Sequence, residues 1–160
     1  MYHLLCGNPT QGVRALEALN QDWASAYPAH RYALAAVLKG LEETALVHGV
    51  ARAWTLLVIG WARDMGGDTA QLGDLAIQAL PLARENDAVS AEKEAQCLLG
   101  GARWAQGRLD EAQAADAKYL AISQRLAALD ASHAGWQHDL SVAYSKIDDV
   151  RRAQVQLDAA

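Results

Sequence analysis

A segment of eight residues occurs twice in this 160-residue chain, and this repeat limits the possible folds more than any other feature. Residues 105–112 read AQGRLDEA and residues 153–160 read AQVQLDAA, so five of the eight positions are identical. At the same offset of 48 residues, Leu99 matches Ile147. Similarity at a fixed period is typical of stacked supersecondary units, because one helix pair cannot bury its apolar face without a copy beside it.

Apolar residues recur at helical spacing along nearly the whole chain, and no segment alternates apolar and polar residues as a half-buried strand does. Gly, Pro and short polar residues divide this pattern, because they end helices or cap them. The spacing predicts helices over 10–26, 29–48, 50–65, 69–86, 90–106, 110–130 and 135–154, with an eighth beginning at 156. Short connections make neighbouring helices antiparallel. The predicted fold class is all-α.

The third pair of predicted helices carries small and apolar residues at fixed spacings. Leu99 and Gly100 lie on its first helix, Gly107 lies at the turn, and Ala112 lies on its second helix. Gly100 and Ala112 allow two helices to approach closely, because neither carries a large side chain. This arrangement resembles the tetratricopeptide repeat (TPR) family.

Two further segments extend the resemblance to the TPR motif. Trp54, Leu57 and Trp61 match its first helix, and residues 135–144, which read GWQHDLSVAY, are similar to a long bacterial variant of the repeat. The resemblance implies a right-handed α-solenoid of antiparallel helix pairs, with about 3.5 repeats in a single domain over 1–160. The repeats would span 10–48, 50–86, 89–130 and 134–160, the last one incomplete. A generic antiparallel helical bundle is the alternative fold.

Charge and cysteine usage bear on partners and on location. The chain has 14 Lys and Arg against 19 Asp and Glu, a net charge of -5, and no basic block, which argues against nucleic acid and anionic membranes as partners. The two cysteines, Cys6 and Cys97, form neither a disulfide framework nor a CxxC pair, which favours a reducing compartment. The most apolar stretch, Ala53 to Ala62, is about half as long as a membrane-spanning helix. These features predict a soluble cytoplasmic protein.

The sequence offers few groups for catalysis or metal binding. His133 and His138 are five residues apart, which directs them to different faces of a helix and not to one metal ion. The pair Gly100-Gly101 lacks the lysine and the preceding strand of a phosphate-binding loop. No motif of a nucleotide-binding, metalloprotease or serine hydrolase site occurs. We therefore predict a non-catalytic protein without a metal or a cofactor.

The resemblance also implies that the first helix of each repeat lines a concave groove. Trp104 is the strongest candidate anchor, since an exposed Trp can bury a large area against a partner. Arg52, Arg63 and Arg152 are suited to bidentate pairing with a partner's carboxylates. The predicted partner-binding residues are Arg52, Thr55, Ile59, Arg63, Glu94, Trp104, Ser145, Asp149 and Arg152.

The functional prediction that follows is a protein–protein interaction module, whose groove receives a peptide or a helix of a partner protein. Two alternatives stay open. The chain is the sensor or regulatory arm of a larger signalling protein, such as an NTPase or a transcription regulator, or it is a structural scaffold. The scaffold would self-associate through the apolar face of its last helix, which includes Val142, Ile147 and Val150. The interruption of the repeat pattern at Ala160 favours a fragment of a longer protein.

Overall fold

The computed structural model describes residues 9–20 and 27–159. Within these residues the chain is helical and has no strand, which confirms the all-α prediction. The helices are α1 (Pro9–Ala18), α2 (Pro28–Glu42), α3 (Gly49–Met65), α4 (Leu72–Glu85), α5 (Val89–Ala105), α6 (Leu109–Leu129) and α7 (Ala134–Asp158). The chain forms two compact units, one up to Ala95 and one from Gln96, so that α5 contributes to both. None of the described helices combines the length and the apolar character needed to span a membrane.

The predicted end of α2 near residue 48 is wrong, because the helix ends at Glu42. The Thr44 hydroxyl donates to the Leu41 carbonyl at 2.6 Å and so satisfies an acceptor of the last turn. Ala45 then takes a left-handed backbone conformation with φ 54°, which turns the chain away from the helix axis. Backbone hydrogen bonds from Thr44 to the Leu41 carbonyl and from Ala45 to the Glu42 carbonyl close the same turn, without the Gly or Pro that usually marks a helix end.

The separate eighth helix predicted from residue 156 is also wrong, because α7 continues without a break to Asp158. Val155 occupies the position that Gly107 has in the other copy of the internal repeat, and a non-Gly residue gives the chain no ready left-handed turn. The first predicted helix is observed over Pro9–Ala18, and its predicted residues 21–26 lie outside the described residues.

The first unit is built around α3, which packs against α1, α2 and α4. All residues of α3 from 53 to 60 are buried, including the large side chains of Trp54 and Leu57. A helix that is apolar on all sides needs neighbours on all sides, because any exposed face would leave apolar surface in water. Leu38 of α2 and Leu72 of α4 are buried as well and complete this core.

The second unit contains the antiparallel pair of α6 and α7. The Tyr119 hydroxyl donates to the Asp139 carbonyl at 3.2 Å, and toward the other end of the pair the Gln154 amide donates to the Asp110 carboxylate at 3.0 Å. Ala143 is buried in this pair, where its small side chain permits a close approach of the two helices. Because α6 packs against one face of α7, it holds in position the side chains on the other faces of α7.

Candidate functional site

The predicted groove residues belong to two units, and those up to Glu94 lie in the first unit. Arg52 lies 2.8 Å from the Glu42 carboxylate, which joins the start of α3 to the end of α2. Arg63, at the other end of α3, lies 3.1 Å from the Asp68 carboxylate. Both guanidinium groups therefore already have carboxylate partners within their own unit.

Two other predicted groove residues, Thr55 and Ile59, lie in the core of the first unit. Thr55 is buried, and its hydroxyl donates to the Ala51 carbonyl one turn earlier at 2.9 Å. Ile59 is buried on the same helix. Neither side chain is available to a partner in this structure, because α3 is enclosed by its neighbours.

Glu94 of α5, also predicted to line the groove, belongs to a polar cluster of the first unit. Its carboxylate accepts from the Trp61 indole at 3.0 Å and lies 3.1 Å from the Lys93 ammonium. The Arg31 guanidinium lies 5.8 Å from the centre of the Trp61 ring. Burial lowers the pKa of Arg31, and the charge of Glu94 opposes this shift. Glu94 is thus held by contacts that stabilise the unit itself.

The four predicted residues of the second unit are the more accessible group. Trp104, near the end of α5, is 41% exposed. Ser145, Asp149 and Arg152 are all exposed on α7. Arg152 lies 2.5 Å from the Asp149 carboxylate, and the Ser145 hydroxyl donates to the Ser141 carbonyl at 3.2 Å. Of these four, Trp104 offers by far the largest apolar surface.

A cleft of about 210 Å³ brings two of the predicted residues together in the second unit. Helices α5, α6 and α7 each contribute side chains to its walls. The lining residues are Gly100, Gly101, Trp104, Asp116, Lys146, Asp149 and Val150. Trp104 and Asp149 thus line the same cleft. Two charged residues that were not predicted from the sequence, Asp116 and Lys146, line it as well.

Asp116 is the most unusual group in this cleft. Its side chain is 2% exposed, and its Oδ1 atom has no hydrogen-bond partner among the described residues. Burial raises the pKa of the Asp116 carboxyl above its usual value, while the positive charge of Lys146 lowers it. Most buried polar groups in proteins are hydrogen-bonded, because an unpaired acceptor loses its hydration and receives nothing in exchange. A buried carboxylate oxygen without a donor is therefore a candidate binding group.

Lys146 supplies the positive charge of the cleft. Its side chain is half-buried, and its ammonium forms no ion pair or hydrogen bond with a described residue. Gly101 leaves room for it, since a Cβ atom at that position would lie 4.0 Å from the Lys146 Nζ atom. The three charged lining residues, Asp116, Lys146 and Asp149, thus bring two carboxylates and one ammonium to the cleft.

The sequence analysis missed Asp116 and Lys146 because each reads as an ordinary charge on an exposed helix face. The available signal was the pair Gly100-Gly101, which occurs in the middle of a helix, where Gly is unfavourable. Such a pair indicates that something approaches the helix backbone closely. In this structure the Asp116 carboxylate approaches Gly100 closely, whereas a Cβ atom on Gly101 would have room.

A larger cavity of about 730 Å³ lies in the first unit, beside α1 and the starts of α3 and α5. Its charged lining residues are Arg14, Glu17 and Asp87. Burial raises the pKa of the Glu17 carboxyl, and a hydrogen bond with Ser90 and the charges of Lys93 and Arg14 act in the opposite direction. This cavity therefore presents no buried side-chain polar atom that lacks a partner, among the residues described around it.

Over residues 9–20 and 27–159, no three His, Cys, Asp or Glu side chains come together in a way that could hold a metal ion. No family model matches the chain, and comparisons with curated proteins and with solved structures give no match. The functional argument therefore depends on the cleft of the second unit.

Proposed function

We propose that this chain is a non-catalytic protein–protein interaction module of the TPR type, and that it holds a partner through the cleft of the second unit. The observation that carries the proposal is the position of Trp104. Its indole is 41% exposed and lines a cleft that also contains a buried carboxylate without a hydrogen-bond donor. Trp is enriched among the residues that contribute most of the binding energy at protein interfaces.

The helices around the cleft support this function because they hold its walls in place before a partner arrives. Gly100 and Trp104 are on α5, Asp116 is on α6, and Lys146 is on α7. Side chains on packed helices lose less conformational freedom on binding than side chains on loops do, so a larger part of the contact energy appears as affinity. The resemblance to TPR proteins implies a similar use of the first helix of a repeat.

Self-association through α7 is a second candidate function, but the apolar face predicted for it is wrong in part, because Ile147 and Val150 are buried. Val155 and Leu157, near its end, are exposed apolar side chains, and Tyr144 is exposed on the same helix. Burial of such residues against a second copy would be favourable in proportion to the apolar area removed from water. A regulatory arm of a larger signalling protein and a cytoplasmic location stay predictions from the sequence.

Affinity capture from a native lysate with the full chain as bait tests the proposed function. We expect one protein to be retained by the wild type and lost by Trp104→Ala. Trp136→Ala is the matched control, because it removes an indole from α7 that does not line the cleft. If Trp104→Ala and the wild type retain the same proteins in equal amounts, the proposal is wrong. If the bait retains only further copies of itself, and if the mass of the purified chain in solution rises with its concentration, self-association is favoured.

The same experiment tests the part of the predicted groove that lies in the first unit. Arg63→Glu replaces the cation that lies 3.1 Å from the Asp68 carboxylate. Loss of the partner with this variant extends the binding surface to α3. Unchanged capture limits the surface to the second unit.

A further inference from the structure

We propose that the cleft of the second unit receives a cationic side chain, the ammonium of a lysine or the guanidinium of an arginine, from the partner protein. This inference rests on the proposed function and names the chemistry of the partner. The cation lies between the Asp116 carboxylate and the Trp104 ring. It takes the place of Lys146, which then pairs with Asp149 on its own helix.

The first argument is the state of Asp116. Its Oδ1 atom is buried and has no hydrogen-bond partner among the described residues, so the cost of removing it from water has already been met in folding. A donor that enters the cleft restores the missing hydrogen bond without a further desolvation cost on the protein side. Hydrogen bonds between a cationic donor and a carboxylate are the strongest of those available to a protein ligand.

The second argument is the close fit between Asp116 and the backbone of α5. Built on Gly100, a Cβ atom would overlap the Asp116 Oδ1 atom and would lie 2.8 Å from its Cγ atom. The carboxylate therefore cannot be displaced toward α5, and it stays in the wall of the cleft. A fixed carboxylate binds a cation at a lower entropic cost than one on a free side chain.

The third argument is the aromatic wall. Trp104 is exposed, and its indole N–H has no hydrogen-bond partner among the described residues. An ammonium or guanidinium group near the face of a Trp ring is attracted by the negative charge density of that face, and Trp is the best of the aromatic residues in this respect. A carboxylate and a Trp in one cleft are thus complementary to the charged head and to the apolar stem of a long basic side chain.

Lys146 competes with such a cation for Asp116. Asp149 can accept the Lys146 ammonium once the cation has entered the cleft. Lys146 and Asp149 are three residues apart on α7, a spacing at which opposite charges on a helix can pair. Asp149 currently pairs with Arg152, and both of these side chains are more than half exposed. An exposed pair of this kind contributes little to stability, so its carboxylate can be shared at small cost.

The charges elsewhere disfavour an acidic partner as the main ligand. Each of the three arginines predicted to hold carboxylates has an acidic neighbour in its own unit, at 2.8 Å for Arg52, 3.1 Å for Arg63 and 2.5 Å for Arg152. An incoming carboxylate must therefore share the guanidinium group with an existing one. Among the charged residues that line the cleft, carboxylates outnumber cations by two to one.

Titration of the full chain with short peptides tests the proposal. The probes are acetyl-Ala-Ala-Lys-Ala-Ala-amide, its Arg analogue, a neutral analogue with norleucine and an acidic analogue with Glu. The readout is the indole N–H signal of Trp104 in nitrogen-15 NMR spectra, which Trp104→Phe assigns. We expect the Lys and Arg peptides to shift this signal at concentrations up to about 10 mM, and the norleucine peptide to leave it unchanged.

Three variants make the test specific. Asp116→Asn keeps the size of the side chain and removes its charge, and we expect it to raise the Kd of the Lys peptide about tenfold. Lys146→Met removes the competing cation, and we expect it to lower that Kd. Asp148→Asn is the matched control, because Asp148 is exposed on α7 and does not line the cleft. Lys146→Met tests the cleft independently of any change at Asp116.

The outcomes separate this inference from the proposed function. The absence of any shift with the Lys and Arg peptides overturns the inference, and so does stronger binding of the Glu peptide that is lost in Lys146→Met. If a partner is captured through Trp104 but Asp116→Asn captures it equally well, the proposed function stands and the cation site is wrong. If the cationic peptides bind but no partner depends on Trp104, the proposed function is wrong and the cation site stands.

Discussion

Gly100 on α5 faces Asp116 on α6 so closely that any side chain at position 100 would overlap the Asp116 carboxylate. A Cβ atom built on Gly100 would lie 2.8 Å from the Asp116 Cγ atom, which is far inside van der Waals contact. Glycine at this position therefore has a steric reason, besides its role in the resemblance to TPR proteins. The same contact fixes the only buried carboxylate in the cleft lining, so the packing and the proposed site depend on one pair of residues.

This relationship predicts opposite effects of the same substitution at two adjacent glycines. Gly100→Ala should destabilise the chain by about 1–3 kcal/mol, because the new methyl group overpacks the contact with Asp116. Gly101→Ala should be neutral or stabilising by up to about 1 kcal/mol, because its Cβ atom has room and Ala favours the helix. Urea unfolding followed by circular dichroism measures both. Equal destabilisation by the two variants would contradict the assigned contact.

Two helix ends could be predicted from the sequence because Gly follows them closely. Gly66-Gly67 and Gly107 end α3 and α5 within a residue or two of the predicted positions. The prediction was wrong at the end of α2, where the Thr44 hydroxyl ends the helix by a bond to Leu41. A hydrogen bond of this kind depends on the local backbone, so composition and spacing do not reveal it.

The site was only partly predictable because burial depends on which helices pack together. Trp104 and Asp149 were predicted to bind a partner from the resemblance to the TPR motif, and both line the cleft. Thr55 was placed on the groove by the same reasoning, but it is buried because neighbouring helices enclose α3. Asp116 lies among alanines on α6 and reads as a solvated charge. Its burial follows from the packing of Gly100 against its carboxylate, which the sequence alone does not reveal.

A second prediction follows from the core of the first unit. Replacement by Ala should have different effects on the unfolding free energy at two leucines that are close in sequence. Leu38 is 0% exposed, so Leu38→Ala should leave a cavity and cost about 2–5 kcal/mol of unfolding free energy. Leu46 is 60% exposed, and Leu46→Ala should change that free energy by no more than about 0.5 kcal/mol. Urea unfolding of both variants checks this. A large loss with Leu46→Ala would mean that the surface around α2 is covered.

A third prediction concerns pH and follows from the burial of Asp116. Because burial raises its pKa above the usual value near 3.8, the folded chain holds this proton more tightly than the unfolded chain does. The contribution of Asp116 to stability is therefore fully present below the unfolded pKa, and it is lost as the pH rises through the folded pKa. Asp116→Asn should stabilise the chain at pH 7 by roughly 1 kcal/mol, and its advantage should disappear as the pH is lowered to 3.

Asp130 provides a control of the opposite sign for this pH prediction. Hydrogen bonds from the Ser132 side chain and backbone lower the pKa of the Asp130 carboxyl. Its contribution to stability is therefore present above the unfolded pKa and is lost as the pH falls through the folded pKa. Unfolding free energies measured from pH 3 to 7 should thus show the variants Asp116→Asn and Asp130→Asn diverging from the wild type in opposite directions. Parallel curves would show that Asp116 is hydrated in solution.

The fourth prediction separates Trp104, which we propose as a partner anchor, from Trp54 in the core of the first unit. Trp54 is buried in α3, so Trp54→Ala should cost about 3–5 kcal/mol of unfolding free energy. Trp104 is 41% exposed, so Trp104→Ala should change the unfolding free energy by less than about 1 kcal/mol while it abolishes partner capture. Acrylamide quenching of the fluorescence, compared between the variants, should assign the accessible emission to Trp104. A loss of stability in Trp104→Ala as large as that in Trp54→Ala would make Trp104 a structural residue, because a side chain kept for binding leaves the fold intact when it is removed.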